Sequence, residues 1–160
     1  MQPLTPADIR ESFVNASQGE AQRVPMPGLH DVIWAEREFL GWRDQQAHQR
    51  GYLVHWVDGR PVGLVLRASE FSLQPGIAAM CSFCRITRRS HQVSLFSAPR
   101  AGQAGRDGNT IGTYICDDLA CSHLIRVLPP SPDPAAMLAE RIEGLVSRVQ
   151  GFTADIMKTA

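Results

Sequence analysis

Cys81-Ser82-Phe83-Cys84 and Cys116-Asp117-Asp118-Leu119-Ala120-Cys121 hold all four cysteines of the chain. Two residues separate the first pair, four separate the second, and 31 lie between the pairs. Such a set offers four soft ligands, the number that a structural zinc ion takes in tetrahedral geometry. Disulfides are the first rival. They are expected in secreted chains and in domains too short to bury a core. Met1-Gln2-Pro3-Leu4-Thr5-Pro6 has no charged leader followed by an apolar run, so no signal peptide is expected. A chain of 160 residues can also bury a sizeable core without staples. A redox-active C-x-x-C is the second rival, but it would leave the other pair superfluous, and no thioredoxin-like βαβ pattern surrounds it. His91 and His123 could substitute as ligands; with four cysteines present they read as surface or hydrogen-bonding histidines. The expectation is therefore one structural Zn2+ per chain, held by Cys81, Cys84, Cys116 and Cys121. A metal closed by four thiolates has no open position for substrate.

Outward from the cysteines, the first pair sits in a turn after Ala79-Met80. His91–Ser97 alternates and reads as a strand. Residues 99–109, with Pro99, Gly102, Gly105, Gly108 and Asn109, read as a long mobile loop. Thr110–Ile115 returns as a strand ending on Cys116, and Asp117-Asp118-Leu119-Ala120 opens a helix to about Leu128. Adjacent acids there read as dipole-stabilising caps and not as a catalytic pair. A C-x-x-C turn, a hairpin and a helix carrying the second pair follow the order of a treble-clef zinc finger.

Upstream, Thr5-Pro6-Ala7-Asp8 starts a helix ending near Ser17-Gln18-Gly19. Leu40-Gly41-Trp42-Arg43-Asp44 reads as a tight turn with a large aromatic to bury. Tyr52–Val57 and Val62–Arg67 are strands joined by Asp58-Gly59, the strongest short-range hairpin dipeptide. Downstream, Asp133-Pro134 starts a last helix, and Leu138, Ile142, Leu145, Val146, Val149, Phe152 and Ile156 recur at helical spacing. The expected fold is α+β: small antiparallel sheets, flanking helices and a treble-clef four-cysteine zinc finger. Residues 1–28 form an N-terminal helix and linker, 29–128 a mixed region containing the finger (81–128), and 129–160 an amphipathic helix packed on the same domain.

Acids and bases balance at 16 each, yet no Asp or Glu lies between Phe71 and Arg106, a stretch holding Arg85, Arg88, Arg89, Arg100 and Arg106. Such a block can face nucleic acid or an acidic protein. Nothing of the length and apolarity of a membrane span is visible. No Gly-rich phosphate loop, G-x-S-x-G or H-E-x-x-H appears, which speaks against an enzyme with a small-molecule substrate.

The chain resembles the C-terminal treble-clef region of the FusB-type proteins. The likeness rests on Leu40–Asp44, Arg50-Gly51-Tyr52-Leu53-Val54, Gly63-Leu64-Val65-Leu66-Arg67, and Cys81-Ser82-Phe83-Cys84 followed by Cys116-x4-Cys121, about residues 30–125. It implies that the four cysteines bind zinc; the absence of a visible targeting signal makes the cytoplasm the expected compartment, where reduced thiols suit such a site. The resemblance also implies a protein partner, elongation factor G, which the family binds on the fusidic-acid-stalled ribosome and helps to release. It further implies that Phe83 and Tyr114, near the metal, touch that factor; Arg85, Arg88 and Arg89 join them as the residue type that anchors interfaces. The resistance proteins carry a helical bundle ahead of this region, where about 30 residues precede the match here. The expectation is thus factor binding and not resistance by itself. The alternative is a zinc-finger binder of ribosomal RNA using the basic segment 85–106.

Overall fold

In the computed structural model, which describes residues 1–158, the Asp58-Gly59 dipeptide makes the hairpin that its sequence calls for. Both residues have positive φ (48° and 75°), and Val57 pairs with Arg60 across a two-residue loop. The hairpin joins β2 (Arg50–Val57) to β3 (Arg60–Ala68). Leu40–Asp44 is not a turn: Leu40–Arg43 is strand β1, paired antiparallel with β2 from Leu40↔Val54 to Arg43↔Gly51. The turn comes one residue later, where the Asp44 carboxylate accepts the N–H groups of Gln46 and Ala47.

Two short strands, β4 (Ala78–Met80) and β5 (Thr87–Arg89), pair on either side of the first cysteine pair. The C-x-x-C turn is the tip of this ribbon. A 3-10 turn at Ser90–Gln92 takes the start of the expected strand, so β6 spans Val93–Pro99. The glycine-rich segment after it is not wholly loop: Gly102–Arg106 forms a short helix, α3. Gly105 permits it, because a Cβ there would lie 1.8 Å from the Arg100 carbonyl oxygen. β7 (Thr110–Cys116) then pairs with β6 along its length. The large sheet runs β1-β2-β3-β6-β7, antiparallel throughout.

β3 and β6 meet at only two register pairs, Arg67↔Ser97 and Ala68↔Phe96. Where they diverge, one side chain takes the place of the ladder. The Asn15 amide donates to the carbonyls of Val65 and Pro99 (3.0 and 3.1 Å) and accepts the Val65 N–H (2.8 Å). Val14 N–H donates to Gly63 O from the same segment. This docking ends the expected N-terminal helix at Ser12, short of Ser17–Gly19, and a second short helix not expected from sequence starts where the first was to end. α1 covers Pro6–Ser12 and α2 Gln18–Gln22, each opened by a capping box, Thr5/Asp8 and Ser17/Glu20.

Two apolar clusters lie on opposite faces of the sheet, as strand alternation requires. Tyr52 and Val54 face Leu4, Ile9 and Val24 of the N-terminal segment. Leu53, Leu64 and Leu66 face the cysteines and the last helix, α5 (Pro134–Met157), through Leu145, Val149, Phe152 and Ile156. Thr110–Cys116 contributes Ile115 to this second core. No helix among the described residues is long and apolar enough to cross a membrane.

His55 is the polar contact that ties β2 to α5. Its Nε2 lies 2.7 Å from Thr153 Oγ1, whose hydroxyl hydrogen goes to the Val149 carbonyl, so the imidazole donates from Nε2. Burial pushes the histidine pKa down to about 4. The unfolded chain therefore binds the extra proton first as pH falls through about 6.5, and folding stability is lost between there and about 4. The loss by pH 5 should be about 2 kcal/mol. Urea unfolding of the wild type and His55→Asn at pH 7 and pH 5 checks this. The variant should show that much less pH dependence, and equal slopes would remove His55 as the cause.

Candidate metal centre

The ribbon tip and the end of β7 bring the four cysteines together. Their sulfurs all lie within 4.8 Å of one another, and each residue is buried. Cys81 Sγ is 3.7 Å from Cys121 Sγ, and Cys84 Sγ is 3.7 Å from Cys116 Sγ. A tetrahedral zinc with bonds of about 2.3 Å has sulfur–sulfur edges of about 3.8 Å. A disulfide would need about 2.05 Å, and none of the four is so joined. The donor set and its size therefore fit one zinc ion. The turn supplies further support, since the Phe83 and Cys84 N–H groups point at Cys81 Sγ (3.3 and 3.4 Å). The sulfurs also press on one another's protonation. Hydrogen bonds with Cys116 and Cys121 draw Cys81 towards thiolate, while Cys121 is pushed the other way by its sulfur neighbours. A divalent cation bound there would replace those protons and leave all four cysteines as thiolates.

The second pair is not carried by a long helix. Cys116 ends β7, residues 117–120 form a loop, and Cys121 opens the short helix α4 (Cys121–Leu124). Asp117 and Asp118 are loop anchors and not helix caps, because each is engaged by an arginine. Arg43 of β1 donates to the Asp117 carboxylate (2.9 Å) and carbonyl (2.8 Å), and Ser94 Oγ donates to the same carboxylate at 2.6 Å. Arg88 of β5 pairs with Asp118 (3.2 Å). Between these anchors Leu119 adopts φ 55° and is buried. It fits because β1 and β2 offer glycine there. A Cβ on Gly41 would stand 2.8 Å from both Leu119 Cβ and Leu119 O, and one on Gly51 would be 3.1 Å from Leu119 Cδ1. β1 thus serves the loop twice, with a gap at residue 41 and a charge at residue 43. Further along, Glu38 binds Arg126 just beyond α4 (2.8 Å) and donates its N–H to Ser122 (3.0 Å).

The model of one protein family, the FBP C-terminal treble-clef zinc-finger, matches residues 8–156. The chain belongs to that family. The FBP-type match extends beyond the stretch that carried the resemblance, taking in most of α1 and nearly all of α5. Among solved structures, the fusidic acid resistance protein FusC is similar in fold, with a TM-score of 0.54 at 18% identity. That likeness covers 82% of this chain and 53% of FusC, so the FBP-type chain spans about half the length of that neighbour. A search of curated proteins finds no match.

The residues expected to meet a partner are distributed unevenly over the FBP-type clef. Tyr114 is 43% exposed, and Arg85 and Arg89 are exposed. Phe83 is 2% exposed, its ring edge-on to Phe152 (5.6 Å) and Phe39 (6.3 Å). The turn that aims its N–H at sulfur directs the ring inward, so Phe83 bonds the clef to α5 and its ring is not on the surface. Arg88 is half-buried and held by Asp118. Beside the ribbon runs an open groove of about 840 Å³, lined by Leu73, Pro75, Ile77, Ala78, Arg89 and His91. Gly41, Arg43, Ser94 and Arg148, whose guanidinium donates to the Phe83 carbonyl, support the site without belonging to any local sequence signal for a metal. Only the Gly-Trp-Arg-Asp motif hinted at the first two.

Proposed function

We propose that this protein is a non-enzymatic, zinc-held adaptor that binds translation elongation factor G in the cytoplasm and favours its release from the ribosome. The observation that carries the reading is the family match over residues 8–156. The likeness in fold to a fusidic acid resistance protein is consistent with it. The binding surface is the exposed side of the clef, with Tyr114, Arg85 and Arg89 as its anchors. Release follows from differential affinity: the adaptor binds more tightly to the factor conformation that leaves the ribosome. Ribosomal RNA is the less favoured partner, because Arg88, central to the acid-free segment, already carries its own counter-ion.

Titration calorimetry with purified elongation factor G tests the reading. Micromolar or tighter binding is expected, weakened at least tenfold by Tyr114→Ala combined with Arg85→Glu while zinc content is unchanged. Sedimentation of ribosomes stalled with fusidic acid should then show the factor lost from the pellet on addition of the protein. No heat and no co-elution at tens of micromolar would overturn the proposal.

A further inference from the structure

β7 is an outer strand of the large sheet, and the two ends of its ladder fix which of its backbone groups face outward. Asp117 N–H donates to Gln92 O, and Arg100 N–H donates to Asn109 O, both at 2.9 Å. Hydrogen-bonded pairs recur every second residue in an antiparallel ladder. Ile111, Thr113 and Ile115 therefore bond to β6, while Thr110, Gly112 and Tyr114 turn their backbone groups away from it. An independent contact agrees: Ser82 N–H donates from outside to Tyr114 O at 2.8 Å. The N–H and C=O of Thr110 and Gly112 and the N–H of Tyr114 have no partner among the described residues. These five groups form a continuous edge about 14 Å long.

Edges of this kind are ordinarily blunted by lysine, proline, a bulge or a covering element. Thr110-Ile111-Gly112-Thr113-Tyr114 carries no charge and no proline, and Thr110, Gly112 and Tyr114 are exposed. The other outer strand, β1, is only four residues long.

Charge selects the occupant. Arg85 and Arg148 flank the Ser82–Phe83 corner where the edge ends, Arg148 also facing the cysteine sulfurs, while before its start Arg106 is followed by the exposed Asp107, so the Ser82 corner is the cationic end. None of the three has an ion pair among the described residues. A second copy paired antiparallel about Gly112 would bring the Arg85 end of one chain against the Arg106–Asp107 end of the other, where the two charges offset each other. It would need the Tyr114 carbonyl that Ser82 already engages.

We propose that the outer edge of β7 receives an extended, acidic segment of the protein partner as an added strand, a mode in which main-chain bonds supply affinity and flanking side chains supply specificity. This rests on the reading that elongation factor G is the partner. The test uses the full chain with that factor. Hydrogen exchange should slow at the amides of Thr110, Gly112 and Tyr114 on complex formation. Gly112→Pro, which removes an outward N–H and leaves the β6 ladder intact, should weaken binding at least tenfold with zinc content and melting temperature retained. Arg85→Glu should weaken it also, and the loss should shrink at high salt. Binding with no protection of these amides would overturn the edge proposal alone, whatever the fate of the proline variant. Protection of the same amides in the protein by itself, rising with concentration, would assign the edge to a second copy and overturn it too. Absence of any binding by the wild type would overturn the proposed function, and this inference with it.

Discussion

Removing the zinc ion, by a strong chelator or by Cys84→Ser, is expected to unfold the clef and undock α5 along with it. The reason lies in the shared core. All four cysteines belong to the same buried cluster as Leu53, Leu66, Phe96, Leu145, Phe152 and Ile156. Phe83, between two ligands, packs edge-on against α5, and Arg148 of α5 donates to its carbonyl. Two non-glycine residues beside the ligands sit at positive φ, Arg85 at 62° and Leu119 at 55°. Each such conformation costs about 1–3 kcal/mol and lasts only while its surroundings enforce it. Structural zinc binding is worth on the order of 10 kcal/mol, comparable with the whole stability of an ordinary domain, about 5–15 kcal/mol. Metal analysis should give one zinc per chain, and far-UV circular dichroism should show helix loss as zinc is withdrawn. A melting temperature unchanged after verified removal of the metal would refute the coupling.

How much of this was legible depended on whether a signal was local. The cysteine spacing announces a four-ligand site because the chemistry fixes both residue type and number. The Asp58-Gly59 hairpin is equally local. Leu40–Asp44 reads as a turn and is a strand for the opposite reason. Glycine and aspartate in five residues look like a turn, but Gly41 is there for the close approach of Leu119, 78 residues later in the chain. Asp117 and Asp118 resemble helix-start acids until the arginines that bind them arrive from β1 and β5. Asn15 stands in a stretch that continues a helical pattern, and nothing around it reveals that it bridges two diverging strands. Burial of Phe83 was likewise out of reach, since an aromatic inside a C-x-x-C turn can face either way.

The motif Gly41-Trp42-Arg43-Asp44 acquires a physical meaning from these contacts. Trp42 and Asp44 belong to the N-terminal face: the indole donates to Pro25 O at 2.8 Å, and the Asp44 carboxylate accepts from the Tyr52 hydroxyl at 3.2 Å. Gly41 and Arg43 serve the metal face, and Arg43 also stacks over Phe96 at 5.1 Å. One four-residue strand therefore joins both cores to the loop that carries the second ligand pair.

Gly41→Ala is the substitution that isolates this link. A Cβ at residue 41 meets Leu119 Cβ, Leu119 O and Phe39 Cε2, each at 2.8 Å. A flexible side chain could move aside, but a backbone carbonyl in a loop pinned by Asp117, Asp118 and the metal cannot yield cheaply. Overpacking of a filled core costs about 1–3 kcal/mol, and here the strain falls on the zinc loop itself. Stability should drop by about 3 kcal/mol, and zinc should pass to a chromophoric chelator at least tenfold faster than from the wild type. Gly41→Val, with more atoms in the same gap, should be worse on both measures. Gly151→Ala is the matched control: it also adds one methyl group, but into open space on α5. It should leave zinc release unchanged and stabilise the helix by up to about 1 kcal/mol. If Gly41→Ala keeps both its melting temperature and its zinc, β1 does not hold the metal loop in place, and the motif needs another explanation.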